Sequence, residues 1–155
     1  MLLRKKLFDI SSLSVVSTRQ HTSKKLDVII AKGDSAASDH YFRTCDTSCL
    51  SNIKDTTSKP IILPDKSTIS ASQIGLLPNS NLSEIGRRVK ILPQLRSASL
   101  ISVGKLCDDG CTVHFDNNKM QVHKNDQIIM SGIRNHEDGL YDIPIAKVQV
   151  SENNY

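Results

Sequence analysis

The chain has 155 residues, enough for one compact domain or a small domain with tails, and too few for two domains with separate cores. Hydrophobic residues make up 38% and aromatics 4%, with no tryptophan, so part of the chain is expected to pack against little. Twenty basic against sixteen acidic side chains leave a net charge of +4, short of the concentrated basic stripe of a dedicated nucleic-acid binder. No apolar run approaches the roughly 20 residues needed to cross a bilayer.

In residues 1–25, Arg4, Lys5, Lys6, Arg19, Lys24 and Lys25 stand against one acid, Asp9, among several serines. That stretch reads as a disordered segment or as a mitochondrial leader. Leu26 to Ala31 is a short β-branched run, expected as a strand that stops at Lys32-Gly33 in a tight loop holding Asp34. Thr44 to Lys59 are mostly Ser, Thr, Asp and Lys, whose short side chains compete with regular backbone pairing, and a surface connection is expected there.

Ile61-Ile62-Leu63 and Ser67-Thr68-Ile69-Ser70-Ala71 flank Pro64-Asp65-Lys66, which predicts a hairpin around a proline-started turn. Val89 to Leu92 and Leu100 to Val103 are compact apolar runs that read as buried strands. Leu100, Val103 and Leu106 also share a helical face, so Ser97 to Leu106 is open to either reading. The last third reads as a meander: Thr112 to Phe115, a turn at Asp116 to Lys119, Met120 to His123, a turn at Lys124 to Asp126, then Gln127 to Met130. Gly132 and the Glu137-Asp138-Gly139 turn lead into Leu140 to Ile145. No long amphipathic helix interrupts the pattern, and the fold expected is mainly β.

Four cysteines form two equally spaced pairs, Cys45 with Cys49 and Cys107 with Cys111. No secretory signal precedes them, which favours reduced thiols inside the cell. With His40, His114 and His123 near them in sequence, four thiolates suffice for a tetrahedral zinc site, and a zinc-binding module is one alternative. Three-residue gaps are less typical of such sites than two-residue gaps, and the expectation is free thiols, with no metal and no cofactor. His114 and His123 alternate with apolar neighbours and are expected on a solvent face.

The sharpest local signal is Ile29 to Tyr41, in which an apolar strand delivers Asp34, then the hydroxyl residue Ser35, then the small residues Ala36 and Ala37. It is followed by Leu63-Pro64-Asp65-Lys66-Ser67, by Leu92 to Cys111, and by Gly139-Leu140-Tyr141-Asp142-Ile143-Pro144-Ile145. This order, over about Leu26 to Ile145, resembles the retropepsin-like aspartic protease region of Copia-type LTR retrotransposon Pol polyproteins. Its most specific part is Leu100-Ile101-Ser102-Val103-Gly104-Lys105-Leu106-Cys107-Asp108-Asp109-Gly110-Cys111.

The resemblance implies a retropepsin-like closed β-barrel working as a homodimer, in a truncated or degraded copy of the polyprotein. Residues 26–133 would be the protease domain, and residues 134–155 would lead towards a pre-integrase region. Asp34 would be catalytic, one from each subunit, the two carboxylates sharing a proton so that one acts as base and the other as acid on a water and a peptide carbonyl. Ser35 would brace the two loops across the dimer axis. Ala36 stands where the family has glycine, and its methyl adds bulk and restricts the backbone. Leu63, Pro64, Asp65, Lys66 and Ser67 fall where the family places its flap, over a substrate bound as an added β-strand.

The implied partners are a second copy and a polypeptide substrate, the chain's own polyprotein, with no membrane and no nucleic acid for this region. The implied location is the cytoplasm or the retrotransposon particle. A protein that keeps the retropepsin fold and dimer surface without cleaving peptides is a further alternative, and Ala36 is the residue that separates it from a working protease.

Overall fold

A computed structural model describes residues 27–148. The leader reading of residues 1–25 lies outside these residues. Strand β1 (Val28–Asp34) is followed by β2 (His40–Phe42), a 3-10 helix (Thr44–Cys49) and β3 (Ser51–Asp55). The short strands β4 (Ile61–Ile62) and β5 (Thr68–Ile69) precede β6 (Gln73–Leu76), helix α1 (Glu84–Arg87), β7 (Arg88–Ile91) and β8 (Ser99–Ser102). Helix α2 (Val103–Asp108), β9 (Thr112–Phe115), β10 (Lys119–Lys124), β11 (Gln127–Arg134) and β12 (Tyr141–Ala146) complete the order. The protein is mainly β, as its alternating apolar pattern requires.

Ten strands form one mixed sheet in the order β3-β6-β7-β2-β8-β1-β12-β11-β10-β9, while β4 and β5 pair only with each other. The expected closed barrel is not what the described residues form. The sheet is open, with β3 at one end and β9 at the other. β3 is exposed from Asn52 to Asp55, and Thr112, His114 and Phe115 of β9 are exposed, so neither edge offers a continuous apolar face to drive closure. Tyr141–Ala146, beyond residue 133, belong to the same sheet, because β12 runs antiparallel to β1 on one side and to β11 on the other.

β1 does not stop at Lys32-Gly33. The strand continues to Asp34, with Gly33 paired to Tyr141 of β12 and to Ile101 of β8. Gly33 serves a close approach and not a turn: a Cβ there would lie 2.7 Å from Met120 Sδ. Thr44 to Lys59 is also more than a surface connection. Asp46 is buried in the 3-10 helix because its carboxylate accepts from Arg43 Nε at 2.8 Å and from Ser99 Oγ at 2.6 Å, and β3 then pairs with β6.

Ser97 to Leu106 takes both readings in turn, as strand β8 and then helix α2. The switch falls at Ser102, whose Oγ accepts the Lys105 N–H as an N-cap. The meander of β9, β10 and β11 matches its sequence pattern. Its second turn places Asn125 and Asp126 at φ of +51° and +60°, the geometry that suits a two-residue hairpin of these residue types. The hairpin around Pro64 is formed by β4 and β5.

The main core gathers Ile29, Ala31, Phe42, Ile91, Ile101, Leu106, Met120 and Ile143 from both halves of the sheet and from α2. A second, smaller cluster joins Tyr41, Ala71 and Leu92 to Ala37, Ile61, Ile69 and Leu100, so the β4–β5 hairpin packs beside the β1–β2 loop. Among the described residues no helix is long and apolar enough to cross a membrane.

β11 passes tightly over β12 at Gly132, where a Cβ would lie 2.9 Å from the Asp142 carbonyl oxygen and 3.0 Å from Ile143 Cγ1. The backbone cannot yield as a side chain would. Gly132→Ala is therefore expected to lower the unfolding free energy by about 1–3 kcal/mol, read as a lower urea midpoint at unchanged m.

Candidate active site

Asp34 is the last residue of β1, half-buried, and in parallel register with Ser102 of β8. Its Oδ1 accepts the Ala36 N–H at 2.8 Å, which closes a tight turn on the carboxylate. Ser35 and Ala36 are exposed on that turn. Ala36 is not among the described non-glycine residues with positive φ, so the turn makes no demand that only glycine meets.

What holds this turn comes from far along the chain. β8 is inserted between β1 and β2, and its last residue, Ser102, donates from Oγ to the Ala37 carbonyl at 2.6 Å. The Ser102 N–H donates to His40 Nδ1 at 2.9 Å. Because Nδ1 accepts, the ring proton sits on Nε2, which donates to the Gly86 carbonyl of α1 at 2.9 Å. His40 is fully buried, and burial, helped by the nearby Lys105 charge, pushes its pKa down to about 4. It is a neutral brace between three elements.

Asp39 adds a charged tie. Burial would raise its carboxyl, but ion pairs with Lys105 of α2 and with Lys90 of β7, the latter at 3.1 Å, outweigh this and hold it below the usual carboxylate range. Lys105 also donates to the Arg88 carbonyl at 2.7 Å. Beside this tie lies an open cleft of about 300 Å³ lined by Ser38, Asp39, Ser83, Ile85, Lys105 and Asp109. Asp109 accepts from Lys124 Nζ at 2.8 Å, from the Ser83 hydroxyl and from the Ser83 N–H at 2.9 Å, and these bonds bring its carboxyl down to about 2.

The Leu63 to Ser67 turn is closed by the Lys66 N–H donating to the Leu63 carbonyl at 2.9 Å, with Lys66 at φ +68°. Asp65 Oδ1 accepts the Ser67 N–H at 2.9 Å, and the Ser67 hydroxyl and amide hold the Asp65 carboxyl below its usual range. Pro64, Asp65, Lys66 and Ser67 are exposed, and Leu63 is half-buried. Ile61 and Ile69 at the base of the hairpin share the smaller apolar cluster with Ala37, so the two sequence-predicted sites meet through that cluster.

The cysteines stay apart from this chemistry. Cys45 and Cys107 are exposed, Cys49 and Cys111 are buried, and burial pushes the Cys49 thiol up to about 12. Among the described residues no group of three or more His, Cys, Asp or Glu side chains is placed to hold a metal ion. His114 is exposed and His123 half-buried, their rings edge to face at 4.9 Å.

The brace predicts a pH dependence. A folded pKa of about 4 lies below the unfolded value of 6.5, so the unfolded chain takes up the proton first as pH falls. The His40 contribution is complete above pH 6.5 and is lost between there and pH 4, up to roughly 3 kcal/mol. Urea midpoints should fall steadily over that range. A midpoint that is flat from pH 7 to about 4.5 would contradict a neutral, buried His40.

The described residues thus define a mainly β protein whose parallel β1–β8 pair ends on an aspartate-bearing turn. Comparison of the chain with protein-family models, with curated proteins and with solved structures finds no match.

Proposed function

We propose that the chain is the retropepsin-like aspartic endopeptidase domain of a Copia-type retrotransposon polyprotein, acting as a homodimer on an extended peptide such as its own polyprotein. The observation that carries the reading is the Asp34 turn. A carboxylate at the end of an apolar strand accepts the N–H two residues on, and β8, inserted from far along the chain, backs it in parallel register.

The chemistry needs a second carboxylate facing Asp34, whose own carboxylate is bonded within the chain to the Ala36 N–H. A second copy supplies it across a two-fold axis. Two carboxylates at close range hold one proton between them. The ionised one takes a proton from water as that oxygen bonds to the peptide carbonyl carbon, and the protonated one gives its proton to the carbonyl oxygen. Collapse of the tetrahedral intermediate returns a proton to the leaving amine. Ser35, exposed on the same turn, is free to hydrogen-bond across the axis, and the Leu63 to Ser67 hairpin is suited to cover a bound strand.

Ala36 supports a second reading, a dimeric module that binds without cleaving. Its methyl is exposed within one chain, so any cost arises between copies, where two turns approach. The test is incubation with a peptide library at mildly acid pH, with and without a transition-state-mimicking aspartic protease inhibitor, alongside sedimentation across a concentration series. A concentration-dependent dimer with inhibitor-sensitive cleavage supports the protease. A dimer without cleavage supports the binding module, and a strict monomer at high concentration removes the geometry on which both readings depend.

A further inference from the structure

We infer that His40 is the positioning residue of the Asp34 turn, acting through the backbone of Ser102 and not through its own contact with substrate. His40 is fully buried and spends both ring nitrogens on backbone groups of other elements. Nδ1 receives the Ser102 N–H, which fixes the end of β8. The Ser102 hydroxyl then donates to the Ala37 carbonyl, one residue beyond the Ala36 amide that binds the Asp34 carboxylate. The chain of contacts is short and every link is a hydrogen bond of 2.6 to 2.9 Å. The other arm, Nε2 to the Gly86 carbonyl, holds α1 and does not lead to Asp34.

The two arms are therefore separable. Protonation of Nδ1 would set two donors, the ring N–H and the Ser102 N–H, against each other and release the first arm only. The charged groups facing the ring are Lys105 of α2 and the adjacent Asp39, whose charge Lys105 and Lys90 already balance. β8 presents no charged side chain, and on α1 Glu84 is paired with Arg88 on the exposed side while Arg87 Nε donates to the Leu77 carbonyl at 2.7 Å.

This inference rests on the aspartic protease reading for its kinetic consequence alone, and its structural consequence stands without it. Two substitutions test it. In His40→Asn the amide oxygen takes the place of Nδ1 and keeps the Ser102 arm, whereas in His40→Gln the amide nitrogen takes the place of Nε2 and keeps the Gly86 arm. Both lose stability, so stability does not distinguish them. Amide exchange at Ala36, measured by NMR on the full chain, does. His40→Asn should keep Ala36 exchange and kcat within about threefold of the parent, while His40→Gln should speed that exchange, and lower kcat at little-changed KM, by about tenfold or more.

Equal Ala36 exchange in the two variants overturns the inference, whether or not the parent cleaves peptides. Absence of cleavage in all three proteins counts against the protease reading and leaves the exchange comparison to decide this one. Should either variant fail to fold, the parent decides alone. The Ser102 and Ala36 amide resonances should shift with the same midpoint as the His40 ring on acidification, and amides that ignore the ring's titration overturn the inference.

Discussion

Asp34→Asn is expected to abolish the peptide cleavage proposed above, by about a thousandfold or more, while leaving the fold intact. The structural part of that expectation follows from one bond. The Ala36 N–H donates to Asp34 Oδ1, and an asparagine in the same rotamer offers its amide oxygen there, so the turn keeps its closure. The chemical part follows from proton bookkeeping, since an amide neither takes a proton from water nor shares one with its twin across the axis. Ala36→Gly acts in the opposite direction. In the proposed dimer the exposed methyl of Ala36 would crowd the second copy, and relief of about 1.4 kcal/mol of such crowding would speed cleavage roughly tenfold. Glycine also frees the unfolded chain, so the same variant should be less stable by about 0.5–1 kcal/mol. Cleavage that survives Asp34→Asn would remove Asp34 from the mechanism. A glycine variant that dimerises but still does not cleave would favour the binding module.

How much of this was legible in the sequence depends on the range of the interaction. The meander from Thr112 onwards and the hairpin around Pro64 are local structures, and alternation and turn chemistry announce them. The string Asp34-Ser35-Ala36 is equally local. Its supports are not: Ser102 reaches His40 and Ala37 across 62 and 65 residues, and neither periodicity nor spacing encodes which serine meets which histidine. The misread stretches share that cause. Gly33 has the appearance of a strand breaker until Met120 is seen to fill the space that a side chain would need. Thr44 to Cys49 has a surface composition, yet Asp46 is buried because Ser99, 53 residues away, donates to it. The open sheet departs from the expected barrel for a reason that lies in its two edges, whose polarity is visible in sequence but whose places in the strand order are not.

The largest stability effect is expected at Lys32, two residues before Asp34. Lys32 pairs across β1 and β12 with Asp142, which is only 4% exposed, and donates also to Asp138 at 2.8 Å. Asn135 Nδ2 donates to the second Asp142 oxygen at 3.2 Å, so the carboxylate is buried with a cation on one side and an amide on the other. Lys32→Met removes the cation and leaves the carboxylate with the amide alone, a loss of roughly 3 kcal/mol. The double variant Lys32→Met with Asp142→Leu removes both charges and should lose less than the single one, because the cost lies in the stranded charge and not in the absent attraction. The pH dependence separates this site from His40. Burial alone would lower the Lys32 pKa, but Asp138 and Asp142 outweigh it and hold the ammonium above its usual 10.5. The contribution of Lys32 is therefore complete below pH 10.5 and is lost as pH rises through the raised value, whereas that of His40 is lost on the acid side. Urea unfolding of parent, single and double variants at neutral pH reads the order directly. A double variant less stable than Lys32→Met would mean that the pair itself, and not the rescue of a buried Asp142, holds β12 against β1.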